Sequence, residues 1–119
     1  MNPAHKADLF RRGLDCFNRG EFFTCHELLE EILLEEPEEE KPFYQGLIQL
    51  AAAFHHHQRG NPAGLESLLR AGDEKLRLFP STYHGVDLAA LLAALTPWLN
   101  TLERRQPTNH LQLPRIESR

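Results

Sequence analysis

Two short stretches hold the residues whose types and spacing could do chemistry. FFTCHELLEEIL places His26 and Glu30 four apart, and FYQGLIQLAAAFHHHQRGN carries Gln49 and His56. A histidine and a glutamate at i, i+4 rise from adjacent turns on one side of a helix, where a carboxylate can orient an imidazole or exchange a proton with it. With Leu29 as the centre of the buried face and about 100° per residue, His26 lies about 60° away and Glu30 about 100° away. Glu27 lies about 160° away and faces water, so the dipeptide His26-Glu27 is not a unit. In the second stretch, with Leu50 as centre, Gln45, Gln49 and His56 form one polar strip at roughly −140°, −100° and −120°, and Ala52 keeps it open. His55 and His57 point elsewhere on that wheel, so the histidine triplet is not one metal cluster.

Three chemistries suit His26, Glu30, Gln49 and His56 if the two helices pack antiparallel. The first is a closed hydrogen-bond network, the usual fate of polar groups at the edge of a core. Under that reading Glu30→Ala costs about 1–3 kcal/mol through unpaired buried partners. The second is a divalent metal site, Zn or Fe, on His26, Glu30 and His56, since two histidines and one carboxylate leave coordination positions open. The third is metal-free acid–base catalysis by Glu30 and a histidine, with His26, Gln49 and His56 as candidate participants. The chain has no nucleophile elbow, phosphate loop or dinucleotide fingerprint, so no sharper reaction class follows. His84 beside Gly85 reads as a surface loop residue, and Arg59 and Arg70 as solvated or ion-paired side chains.

The elements that must position these residues are helical. Val occurs once, and no segment alternates β-branched residues. Apolar residues instead recur at helical spacing. Asn2-Pro3 caps a first helix with Leu9, Phe10, Gly13, Leu14 and Phe17 on one side, closed by Gly20. A second helix runs from about Phe22 to Glu35, and LEEPEEEK follows as a solvated acidic turn. A third helix is apolar nearly all round and ends near Gly60; Gly46 lets a neighbour approach it closely. A fourth starts at Pro62 with Glu66–Arg70 and Asp73–Arg77 on its wet side. Asp87 caps a fifth, in which Pro97 is expected to kink or restart the helix with Thr96 as a new cap. RGEFFTCHELL and RGNPAGLESLL repeat at an offset of 40 residues, which suggests two stacked helical hairpins with the fifth helix as a lid.

Composition narrows the class. The chain has 119 residues, a net charge of −4 and no long basic run, which argues against nucleic acid as a partner. The uncharged stretch from Pro42 to Gln58 is too short and too polar to span a membrane. MNPAHKADLF is not a secretory leader, and Cys16 and Cys25 are too few for a disulfide framework. They read as small core residues of a cytoplasmic protein. Residues around Trp98 could form an apolar patch for a homo-oligomer.

FNRGEFFTCHELLEEIL followed by FYQGLIQLAAAFHHHQRGNPAG resembles the domain of unknown function 309 family, and YHGVDL extends the likeness over most of the chain. The resemblance implies a small all-helical protein without an assigned activity. The family's histidine, glutamate and tryptophan positions fall on His26, Glu30 and Leu33, so the tryptophan is missing here. Its second motif falls on Gly46, Leu47, Ile48 and Gln49, with a histidine at His56, and its Gly-Asn pattern on Gly60, Asn61 and Gly64, with Leu65 in place of an alanine. The expectation is therefore an all-α bundle of about five helices, two hairpins plus a C-terminal helix, as one domain over residues 1–105 with a tail at 106–119. Its expected role is a cytoplasmic binding or scaffold protein with a largely structural polar cluster. The alternative is a metal-binding protein or small hydrolase-like enzyme using His26, Glu30 and His56.

Overall fold

The computed structural model describes residues 1–119. Five helices follow in order: α1 (Pro3–Asn18), α2 (Phe22–Leu33), α3 (Lys41–Gln58), α4 (Pro62–Leu76) and α5 (Leu88–Glu103). Three of them start where a side chain takes up a free amide hydrogen. Asn2 accepts from His5 N at 2.8 Å, Asn61 from Gly64 N at 3.1 Å and Asp87 from Ala90 N at 3.0 Å. The 40-residue repeat is a structural repeat at its turns. Gly20 (φ +77°) and Gly60 (φ +71°) are both left-handed. Glu21 N returns to Cys16 O, and Asn61 N to His56 O, in the same hydrogen-bonding pattern. Each hairpin, α1–α2 and α3–α4, closes on a glycine that supplies the left-handed residue a helix stop requires.

α3 is the central element and packs against both α2 and α4, while α1 lies on α2 and α5 on α4. Its stripe of Phe43, Leu47, Leu50 and Phe54 is fully buried, and Tyr44, Ile48 and Ala51 are buried on its far side. The expected close approach at Gly46 occurs, and its counterpart is Gly72 of α4: a Cβ on Gly72 would lie 2.9 Å from the Gly46 carbonyl oxygen. Cys16 and Cys25 are free and buried, and burial pushes the Cys25 thiol up to about 12.

Two local expectations change. α5 runs through Pro97 without restarting, and Thr96 Oγ1 bonds back to Leu92 O at 3.5 Å instead of capping forward. Pro97 is exposed, so its ring lies on the solvent side, where one missing backbone bond is tolerated. The loop before α5 contains a small hairpin, β1 (Thr82–Tyr83) with β2 (Val86–Asp87). Its two turn residues, His84 (φ +47°) and Gly85 (φ +74°), are both left-handed, as a tight two-residue hairpin turn requires.

The acidic turn ties elements together as well as facing water. Glu36 pairs with Lys6, and Glu35 with the amino terminus. Glu40 accepts from Tyr83 Oη at 2.8 and 3.0 Å and meets His84 Nε2 at 2.9 Å. The hydrogen bond from His84, joined by that from Tyr83, holds the Glu40 carboxyl below the usual glutamate range. Burial likewise lowers the proton affinity of His57, whose ring stands edge-on to Trp98 at 4.9 Å. Both groups bind protons more readily when unfolded, so both contribute stability at neutral pH that is lost on acidification. The His57 contribution fades as pH falls below about 6.5, and that of Glu40 as pH falls through about 4.3 and below. Urea melts across this range are expected to show two declines. His57→Gln flattens the first and Tyr83→Phe reduces the second.

Residues 106–119 form no helix, and most are exposed, but Pro114 and Ile116 are buried. Trp98 Nε1 donates to Gln112 O at 3.0 Å, and Ile116 joins the core. Trp98 itself is therefore buried beneath the chain's own tail. No helix is long and apolar enough to cross a membrane.

Candidate functional site

Where α2 passes α3, a notch of about 150 Å³ opens between Phe22, Phe23, His26, Ala52, His55 and His56. Ala52 makes it possible, because the small side chain leaves a gap between two turns bearing large rings. Phe23 is 56% exposed, unlike the other phenylalanines of α2 and α3. It stacks on His26 at 6.1 Å and tilts against His55 at 5.7 Å.

His56 is the most firmly placed of the three histidines at the notch. The Asn61 side-chain amide donates to its Nδ1 at 3.0 Å, which leaves the ring proton on Nε2. Gly64 makes room for the ring, since a Cβ there would lie 2.7 Å from His56 Cγ and Nδ1. The Gly60, Asn61 and Gly64 pattern thus has one physical meaning. Gly60 turns the chain, Asn61 caps α4 while holding His56, and Gly64 is small because His56 lies over it.

His26 and Glu30 do pair, with Nε2 to Oε2 at 3.1 Å, but at the surface: their side chains are 34% and 48% exposed. The other ring nitrogen of His26, Nδ1, points away from Glu30 into the protein. That Nδ1 is buried and has no hydrogen-bond partner. Gln49 stands apart from this pair, and its Oε1 accepts from Lys75 Nζ of α4 at 3.0 Å. Gln49 and His56 share a strip on the wheel but are about 10 Å apart along the axis, at about 1.5 Å per residue. No three His, Cys, Asp or Glu side chains are grouped as a metal ion would need, so His26, Glu30 and His56 do not form a three-ligand set. His57 faces Trp98 and Thr108, away from the notch.

Two lining residues lay outside the sequence-based set, although both carried a helical signal. Phe23, His26 and Glu30 stand at i, i+3 and i+7, one face of α2. His55 and His56 lie about 60° and 40° to either side of Ala52 on the wheel. Centring α3 on Ala52 instead of Leu50 therefore finds both histidines.

Because the His26–Glu30 pair is solvated, Glu30→Ala is expected to change stability by only about 0.3–0.5 kcal/mol. That is below the 1–3 kcal/mol of a buried network, and a denaturant melt distinguishes the two.

Comparison with known proteins places the notch inside a matched region. A family model described as a domain of unknown function (DUF309) matches residues 10–68, which include every notch residue and the Gly60, Asn61 and Gly64 seat. An uncharacterized protein of Aquifex aeolicus (strain VF5) is 31% identical over 108 residues, 90% of this chain and 32% of its own length. The uncharacterized protein YpuF of Bacillus subtilis (strain 168) is 37% identical over 68 residues, 56% of this chain and 37% of its own. The chain spans about a third of the length of these relatives.

Proposed function

Over residues 10–68 the chain belongs to the domain of unknown function 309 family, and from that premise we propose that it is a helical binding module whose α2–α3 notch takes one side chain of a partner protein. The observation that carries this reading is the notch itself. Its volume of about 150 Å³ suits a single aliphatic or aromatic side chain and falls short of the roughly 300–1,000 Å³ typical of small-molecule sites. Exposed Phe23 supplies an apolar wall, and the Nε2–H of His56 supplies a fixed donor. A rigid aromatic wall with one oriented donor is how interface anchors are commonly received.

The arrangement of His26 supports binding over acid–base catalysis. Its Nε2 faces the Glu30 carboxylate and its Nδ1 is buried, out of reach of a substrate proton. The two buried free thiols suit a reducing compartment such as the cytoplasm.

The test is an NMR titration with N-acetyl-phenylalanine amide and N-acetyl-leucine amide, read on the imidazole rings of His26, His55 and His56. Saturable shifts on these rings are expected. They are lost in Ala52→Phe, which fills the notch and leaves its other walls in place. Shifts that do not saturate, or that persist in Ala52→Phe, overturn the reading.

A further inference from the structure

A groove between the end of α1, the β2 edge and Trp98 of α5 holds the chain's own tail. Residues 111–119 run beside α5 without secondary structure of their own apart from one bridge, yet several of their backbone groups are held. Asn18 grips Ile116 on both sides: its Nδ2 donates to Ile116 O at 2.9 Å, and its Oδ1 accepts from Ile116 N at 2.7 Å. The outer edge of β2 pairs with the next residues. Asp87 N donates to Glu117 O at 2.9 Å, Arg119 N donates to Gly85 O at 2.8 Å, and Val86 bridges Ser118 in antiparallel fashion. The Trp98 indole donates to Gln112 O. Among side chains the chief anchor is Ile116, 3% exposed, while Leu113 is open to solvent.

These are the contacts of peptide recognition by strand addition, in which main-chain bonds give affinity and one pocket selects a side chain. The main-chain bonds are sequence-independent, and the buried side chains Pro114 and Ile116 supply the selectivity. Arg105, left-handed at φ +56°, closes α5 with the same hydrogen-bonding pattern by which Gly20 and Gly60 close α1 and α3, and the segment follows from there.

We propose that the groove formed by Asn18, the β2 edge and Trp98 is a docking site for an extended peptide with a branched aliphatic anchor, and that residues 111–118 close it in cis. The ligand class is fixed by the occupant: an extended backbone with isoleucine or valine at the pocket position and a proline, buried here as Pro114, two residues before it. A tethered occupant acts at an effective concentration of about 1 mM, so a competing peptide binds measurably only when the tether's own anchor is weakened.

The experiment uses the full chain and Trp98, its one tryptophan, as reporter. Ile116→Asp is expected to keep the helical circular dichroism and shift tryptophan emission to the red as the tail lifts. The peptide LQLPRIESR, added in trans, then restores the blue emission with saturation. The same peptide with aspartate for isoleucine binds at least tenfold more weakly. Unmodified protein shows no change with either peptide. Unaltered emission in the folded variant, failure of the peptide to restore it, or equal effects of both peptides overturn the proposal. If Ile116→Asp loses its helices, amide exchange of the unmodified chain decides. Ile116, Asp87 and Arg119 are expected to exchange together and faster than the α3 amides, and protection equal to that of α3 overturns the proposal.

Discussion

Phe54→Ala is expected to lower stability by about 3–5 kcal/mol, the cost of truncating a fully buried aromatic ring. Phe54 is 0% exposed and sits where four helices meet. Its ring stands edge-on to Trp98 of α5 at 5.0 Å and to Phe17 of α1 at 6.1 Å, and lies tilted against Phe22 of α2 at 5.6 Å. Removing it leaves a cavity lined by rings that cannot all move inward, because each belongs to a different helix. For a domain of this size the loss corresponds to a fall in melting temperature of roughly 10–25 °C. Phe23→Ala is the matched control. That ring is 56% exposed on the neighbouring helix, and its loss is expected to stay within about 0.5 kcal/mol, as for surface substitutions generally. Similar losses for the two variants in thermal melts would show that Phe54 is not the junction of the core.

Gly72→Ala is the second large effect, and its sign opposes helix propensity. In an open helix the change favours stability by about 1 kcal/mol. Here the added Cβ would lie 2.8 Å from Leu50 Cδ2 and 2.9 Å from the Gly46 carbonyl oxygen. The leucine tip can rotate, but the carbonyl moves only if α3 moves. Forced overpacking costs about 1–3 kcal/mol, and because the clash here includes a backbone carbonyl the upper part of that range applies, so a net loss of up to about 2 kcal/mol is expected after the propensity gain. Gly46→Ala meets only Leu76 side-chain atoms inside 3 Å, with the Gly72 carbonyl oxygen at 3.4 Å, and is expected to cost less. A melt in which Gly72→Ala is more stable than the parent would contradict the close α3–α4 contact.

The helices were legible because their signals are local. Asn2 and Asp87 act as caps, Gly20 and Gly60 as turns, and Glu66–Arg70 and Asp73–Arg77 as ion pairs, all where their spacing placed them. The β1–β2 hairpin is small enough that only its two-residue turn ending in Gly85 announces it. Gln49 shares its strip with His56 by angle on the α3 wheel, and a wheel carries no height. Lys75, 26 residues away in sequence, draws Gln49 to the opposite neighbour of α3. The tail lacked periodicity because it is ordered by Asn18, Trp98 and the β2 edge and not by its own pattern.

The sequence by itself determined the all-helical class, the two hairpins, the burial of α3 and the pairing of His26 with Glu30. Each of these depends on spacing within a turn or two of helix, where geometry is set by 3.6 residues per turn. Only the tertiary structure decided that the His26–Glu30 pair is solvated, that His55 and Phe23 join His56 at a notch, and that residues 111–118 fill a groove. Those outcomes depend on which helix lies opposite which, and at what height. That is set by long-range contacts such as Gly46 against Gly72 and Asn18 against Ile116, which no local pattern encodes.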